Sequence, residues 1–120
     1  MTGRSIAEVA EHLEIDADTL RWFERQGVVP APARDAGGRR RYTADDVHLL
    51  EVLMHLRRTG MPLREVAEFT SWVRRDPDGV DERLALLETH HQRVLRHQAE
   101  LAASRLVIEK KITDYRSRRP

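Results

Sequence analysis

Cysteine is missing altogether from these 120 residues. Its absence excludes disulfides, iron–sulfur clusters, thiolate metal sites and thiol switches. Long apolar runs are missing too: nothing approaches the roughly 20 residues needed to span a bilayer. Glu8 and Glu11 interrupt the N-terminal stretch that a signal peptide would keep apolar. A cytoplasmic protein without a membrane partner is expected. Lysine is nearly absent, Lys110 and Lys111 being the two present, so the basic character is arginine. There is no nucleophile motif and no glycine-rich phosphate loop, since Gly37-Gly38 belongs to a hairpin. Paired acids such as Asp45-Asp46 and Asp81-Glu82 sit at helix starts, where the helix dipole accounts for them. No catalytic residue, cofactor-binding residue or metal ligand is expected, and the chain does not read as an enzyme.

The net charge of +1 conceals an uneven distribution. From Leu20 to Tyr42 there are six arginines (Arg21, Arg25, Arg34, Arg39, Arg40, Arg41) against Glu24 and Asp35. A local basic patch on a nearly neutral chain fits a polyanionic partner better than general stickiness. The plainer alternative is a solvated arginine-rich loop. At 13.9 kDa the chain is one small domain, or one domain with a helical appendage.

Local signals order the first part of the chain. Ser5 and Glu8 have capping-box spacing, and Ile6, Val9, Ala10 and Leu13 follow as one apolar stripe of a two-turn helix. Glu14-Ile15 makes a turn, with Ile15 as a buried plug. Asp16 can cap a second helix that carries Leu20 and Phe23 inward and stops at Gly27. Val28-Val29-Pro30-Ala31-Pro32 must be extended, because proline bars helix at and before itself. Arg34 to Tyr42 reads as a short β-hairpin, its glycines supplying positive φ. Thr43 can cap a third helix buried through Val47, Leu50, Leu53 and Met54 and ended by Gly60. Pro62 stands at a first helical position, and Val66, Phe69 and Val73 continue a fourth helix to Asp76-Pro77-Asp78-Gly79. Two short helices joined this tightly most often present the second one to DNA.

From Val80 there is no proline or glycine until Pro120. Val80, Leu87, Val94, Leu101, Ile108 and Tyr115 recur every seven residues; the complementary set Leu84, His91, Gln98, Arg105 and Ile112 is apolar at its ends and polar in its middle. A helix of about 36 residues would run roughly 54 Å, too long to lie on so small a domain. It has to pack on another helix, most simply a second copy, as a coiled coil. Leu84, Leu87, Val94, Leu101, Ile108, Ile112 and Tyr115 are the expected dimerisation residues. The expected fold is mainly α: a winged helix-turn-helix domain with a β-hairpin wing over residues 1–75, then a coiled-coil dimerisation helix over 80–117.

This ordered set resembles the MerR family of bacterial transcription regulators. The carrying residues are Ile6–Leu13, Thr19-Leu20-Arg21-Trp22-Phe23-Glu24, Gly27-Val28-Val29-Pro30, Gly38–Tyr42, Thr59-Gly60-Met61-Pro62-Leu63 and Lys111-Ile112-Thr113-Asp114-Tyr115. The resemblance implies an antiparallel homodimer that binds double-stranded promoter DNA within an overlong spacer and distorts it so that RNA polymerase engages both elements. Simple repression would use the same contacts. Thr19 and Arg21 lie near the exposed N-terminal half of the recognition helix, where Arg21 can fork onto guanine or a phosphate. Trp22 stands where relatives usually carry tyrosine. Asp18 stands where many have arginine; it can accept from cytosine or simply favour the helix N-terminus, and capping and dipole effects explain it without DNA. In the wing, Arg40 and Tyr42 match the family's phosphate-contacting positions and Arg39 replaces its usual aromatic or histidine, although Tyr42 reads equally well as a packed anchor. Arg57, Arg58 and Thr59 fall at the second wing, which in the family also touches the backbone.

Many relatives sense through cysteine. The subgroup resembling aldehyde- and nitrosative-stress regulators often has its lone cysteine where this chain has His55, read here as a half-buried histidine packed beneath the coiled coil. His12, His48, His55, His90, His91 and His97 include no pair four apart on a helix. His90 and His97, seven apart, would be roughly 10 Å from each other. Larger members append a ligand-binding domain, so an effector here is expected either in the shallow space between the coiled coil and helices three and four or as a protein. Two other classes share parts of the pattern. An architectural or excisionase-like DNA-binding accessory protein usually lacks the long helix, and a coiled-coil adaptor would not need Arg21 and the arginine wing.

Overall fold

The computed structural model describes residues 3–120, so the first two residues of the expected 1–75 domain lie outside the described residues. The order is α1 (Ile6–Leu13), α2 (Ala17–Arg25), β1 (Ala33–Arg34), β2 (Arg40–Arg41), α3 (Ala44–Arg58), α4 (Leu63–Val73) and α5 (Val80–Ser117). The fold is mainly helical, with one two-stranded hairpin. Two compact units are present, one extending to Leu86 and the other running from Leu87 to Pro120, so the division falls within α5.

In the first unit, α1 packs on α2 and α3, and α3 on α4. The α1 capping box is fully made: Glu8 N–H donates to Ser5 Oγ at 3.2 Å and Ser5 N–H to Glu8 Oε1 at 3.1 Å. α1 ends on Glu14 in the left-handed region (φ 59°), and the next amide, from Ile15, reaches back to the Ala10 carbonyl at 3.0 Å. That fold-back makes the tight turn into α2. Ile15 is half-buried rather than a buried plug, and Asp16 sits at the N-cap without a side-chain capping bond.

The core comprises Val9 and Leu13 from α1, Leu20 from α2, Leu50, Leu53 and Met54 from α3, Met61, and Val66 and Phe69 from α4. Val28 and Val29, after α2, are also buried. Thr70 Oγ1 donates to the Val28 carbonyl at 2.6 Å, satisfying a fully buried hydroxyl and pinning the extended segment to α4. Thr43 and Asp46 form a second capping box at α3. Gly60, at φ +99°, follows α3, while Pro62 proves to be the N-cap of α4 rather than its first helical residue. Phe23 and Val73 are only half-buried, Val73 because α4 ends there.

His55 is exposed, which corrects its half-buried reading. The inward stripe of α3 runs Val47, Leu50, Leu53, Met54, and His55 stands one residue, about 100°, past it.

α5 has 38 residues, about 57 Å of helix. On the stripe formed by its two seven-residue sets, Val80, Leu84, Leu101, Ile108, Ile112 and Tyr115 are exposed in the single chain, while Leu87 and Val94 are half-buried. Leu95, Leu106 and Val107 are exposed apolar side chains off that stripe, which the heptad count passes over. Among the described residues no helix is long and apolar enough to cross a membrane.

Candidate nucleic-acid interface

The hairpin owes its shape to one carboxylate. Asp35 Oδ1 accepts from the amides of Gly37 at 2.9 Å and Arg39 at 3.0 Å, and Oδ2 accepts from Arg41 Nε at 3.0 Å. These bonds hold the Asp35 carboxyl below the ordinary aspartate range, with the Arg39 amide the largest contribution. Of the two expected turn glycines, Gly38 alone takes positive φ (+79°). β2 then runs into Tyr42, whose N–H and C=O pair with those of Arg4 at 2.9 Å each, tying the wing to the chain before α1.

Arg40 leans the other way, toward the second helix. Its Nε donates to Glu24 Oε2 at 2.7 Å and its Nη2 to Oε1 at 3.4 Å, with side chains only 18% and 13% exposed. This fork–fork pair locks the wing to α2. Tyr42 is 3% exposed, and burial pushes its phenol above the ordinary tyrosine value. Of its two readings, that burial corresponds to the packed anchor, since a side chain so enclosed offers almost no surface to a phosphate.

On α2, Arg21 Nη1 donates to Asp18 Oδ1 at 2.8 Å. Thr19 is half-buried. Trp22 is 42% exposed and its ring is tilted against Phe23 at 5.6 Å. Arg21, Arg34, Arg39, Arg40 and Arg41 converge with Ser5, Ile6 and Gly38 around a depression of about 310 Å³. Arg39 is exposed, and Arg34 Nη1 donates to the Gly38 carbonyl at 2.8 Å. Three carboxylates, Asp18, Glu24 and Asp35, each hold one arginine, so the face remains positive while several of its guanidinium groups are oriented in advance.

The second wing is built differently. Arg57 Nη1 donates to the Met61 carbonyl at 3.1 Å, Arg58 Nη2 to the Leu13 carbonyl at 2.8 Å, and Thr59 Oγ1 to the His55 and Leu56 carbonyls at 2.8 and 3.2 Å. Arg57, Arg58 and Thr59 are exposed as well as structural. Arg57 and Arg58 line a separate hollow of about 210 Å³ with Ile15, Thr19, Phe23 and Met54. Neither Arg57 nor Thr59 lines the arginine depression.

Arg34 and Arg41, read from the sequence as part of the basic patch, line the depression, whereas sequence reasoning missed Ser5 there and the organising role of Asp35. The Asp35-Ala36-Gly37 spacing carried a signal for the last of these, since aspartate commonly accepts the amide two residues on. It also missed the pairing of His12 Nε2 with Glu51 Oε1 at 2.7 Å, across 39 residues, which no local pattern announces. Among the described residues no group of three His, Asp or Glu is placed to hold a metal ion.

Comparison with known proteins places this geometry. Residues 4–71 match the MerR HTH family regulatory protein family, and residues 47–111 match the family described as MerR, DNA binding. The chain belongs to the MerR family. An uncharacterized HTH-type transcriptional regulator of Haemophilus influenzae is 35% identical over 109 residues, covering 91% of this chain and 81% of that protein. The HTH-type transcriptional regulator AdhR of Bacillus subtilis is 30% identical over 91 residues, 76% of this chain and 65% of AdhR. Among solved structures, HiNmlR, a MerR family regulator lacking the sensor domain and bound to promoter DNA, superposes with a TM-score of 0.88 at 33% identity. That match covers 97% of this chain and 92% of HiNmlR. This MerR-family chain is therefore a DNA-binding transcriptional regulator in its family assignment, not an enzyme. Its basic face lies on the helix and hairpin of the matched 4–71 region.

Proposed function

We propose that this chain is a cytoplasmic homodimeric regulator that binds promoter DNA, with α2 in the major groove and the wing on the flanking backbone. The observation that carries the reading is the arginine-lined depression between α2 and the hairpin, whose guanidinium groups are braced by Glu24 and Asp35. Preorganised arginines next to an exposed helix face suit phosphate positioning combined with base reading. Arg21 and Thr19 serve the bases, Trp22 adds an apolar contact, and Arg39 and the free edge of Arg40 serve phosphates. Arg57 and Thr59 approach the backbone from the second wing.

The second copy is supplied through α5. Its exposed stripe of Leu84, Leu101, Ile108, Ile112 and Tyr115 needs a cover, and charge favours an antiparallel one. Asp81, Glu82 and Glu88 outweigh Arg83 at its beginning, and Lys110, Lys111 and Arg116 outweigh Glu109 and Asp114 at its end. The promoter as target is supported by the DNA-bound state of HiNmlR, the sensor-lacking relative. Bending of an overlong promoter spacer toward productive contact with RNA polymerase completes the reading.

Fluorescence polarisation with duplexes from upstream of its own gene tests this directly. Tight, salt-dependent binding by a dimer is expected, and Arg21→Ala should cost roughly 1–3 kcal/mol on the selected site. No preference for any duplex over random DNA would overturn it. Run-off transcription with spacers of altered length separates distortion from simple occlusion.

A further inference from the structure

The pairing of Asp18 with Arg21 has a consequence for which base is read. Both residues sit three apart on the N-terminal half of α2, joined by a 2.8 Å bond from Arg21 Nη1 to Asp18 Oδ1. The Asp18 side chain is 95% exposed and that of Arg21 38% exposed. A guanidinium has five N–H groups in a fixed fork, so one bond to Asp18 leaves donors on its other edge. Asp18 Oδ2 has no partner among the described residues. The two side chains together present a donor fork beside an acceptor.

In the major groove a G·C pair offers the matching pattern: guanine N7 and O6 accept, and the N4 amino group of cytosine donates. At an A·T pair the edge beyond the purine is the thymine O4 acceptor, which a carboxylate repels. A carboxylate also repels phosphates, so it lowers binding everywhere except where an amino group meets it. Specificity is a difference of affinities, and this arrangement acts on both sides of that difference.

We propose that Asp18 and Arg21 read one G·C pair as a unit, with Asp18 the specificity-determining member. The proposal rests on α2 being the recognition helix. The alternative is that Asp18 only places a favourable charge at the start of α2.

The experiment is a binding selection on the full chain, followed by titrations of wild type, Asp18→Asn, Arg21→Ala and the double variant. Each is titrated on the selected duplex, on duplexes substituted at single pairs and on random DNA. The exposure of Asp18 makes its variants safe for folding, and helical circular dichroism checks this. The wild type should select a G·C pair in each half-site. Asp18→Asn should lower discrimination at that pair by about five- to a hundredfold and tighten binding to random DNA. Its salt dependence should steepen by about one unit as Arg21 turns to a phosphate. Arg21→Ala should relax the same pair, and the double variant should lose little more, because the two act together. A uniform shift on every duplex with Asp18→Asn, or simple additivity, would overturn the proposal while leaving the recognition role of α2 intact. A wild type that selects no sequence would overturn the role of α2 itself, and the proposal with it.

Discussion

Leu101→Asp is the sharpest perturbation of the proposed dimer. Leu101 is 57% exposed in the single chain. Covering the remainder contributes about half of the 1.5–3 kcal/mol for full burial, roughly 1–1.5 kcal/mol per copy and about 2–3 kcal/mol for two. An antiparallel pairing that sets Leu84 against the Ile112–Tyr115 end puts the two-fold axis near residues 98–100, so the two copies of residue 101 approach each other. Two carboxylates about 8–10 Å apart at an interface add about 1–2 kcal/mol of repulsion. The loss is then about 3–5 kcal/mol, or a dissociation constant weakened by roughly 10²–10⁴. Sedimentation velocity from nanomolar to tens of micromolar reads this directly: the wild type should run as a dimer at micromolar concentration and the variant as a monomer. Affinity for a two-half-site duplex should fall by about 10²–10⁴, because the second half-site is no longer linked, while the circular dichroism expected of the six elements before α5 persists. A monomeric wild type at micromolar concentration, or a variant that still dimerises, would refute the reasoning.

Arg40→Ala should destabilise the fold by about 1–3 kcal/mol in urea, since it strands a Glu24 carboxylate that is only 13% exposed. Arg39→Ala, exposed, should leave stability unchanged and reduce the salt slope of DNA binding by about one unit; equal stability losses for both would remove the Glu24 argument. Asp35, whose folded pKa is lowered, contributes stability that is present above its ordinary value of 3.8 and is lost as pH falls through the folded value. The amide signals of Gly37 and Arg39 should therefore titrate together below that pH in NMR, and Asp35→Asn should abolish the step; a midpoint at or above 3.8 would contradict it. Tyr42→Phe should leave DNA affinity within about twofold, whereas Tyr42→Ala should unfold the wing base at a cost of about 3–5 kcal/mol. A large affinity loss with Tyr42→Phe would instead assign its hydroxyl to the backbone.

Much of this architecture was written in local chemistry. Ser5 with Glu8 and Thr43 with its own capping box started two helices, Gly27 and Gly60 followed the ends of two, and the stripe of Val47, Leu50, Leu53 and Met54 chose the buried face of α3. Each of these signals acts within one turn, so sequence spacing is enough to read it. The exceptions were local competitions. Ile15 stays half-exposed because Glu14 takes the left-handed position that folds the chain back, and Pro62 caps α4 because its ψ of 147° is extended.

The site divided along the same line. The arginine excess between Leu20 and Tyr42 marked the candidate face from composition alone, because charge density needs no fold to be counted. Which arginine does what could not be counted. Glu24 and Arg40 are 16 residues apart, and their pairing exists only because the chain reverses at the wing. Arg58 reaches the Leu13 carbonyl across 45 residues, and Tyr42 is an anchor because Arg4 meets it edge to edge. The chemistry of the partner, a polyanion, was determined by residue types; which arginines are struts and which stay exposed was decided by tertiary packing, since a guanidinium already held by a carboxylate has only its free edge to offer.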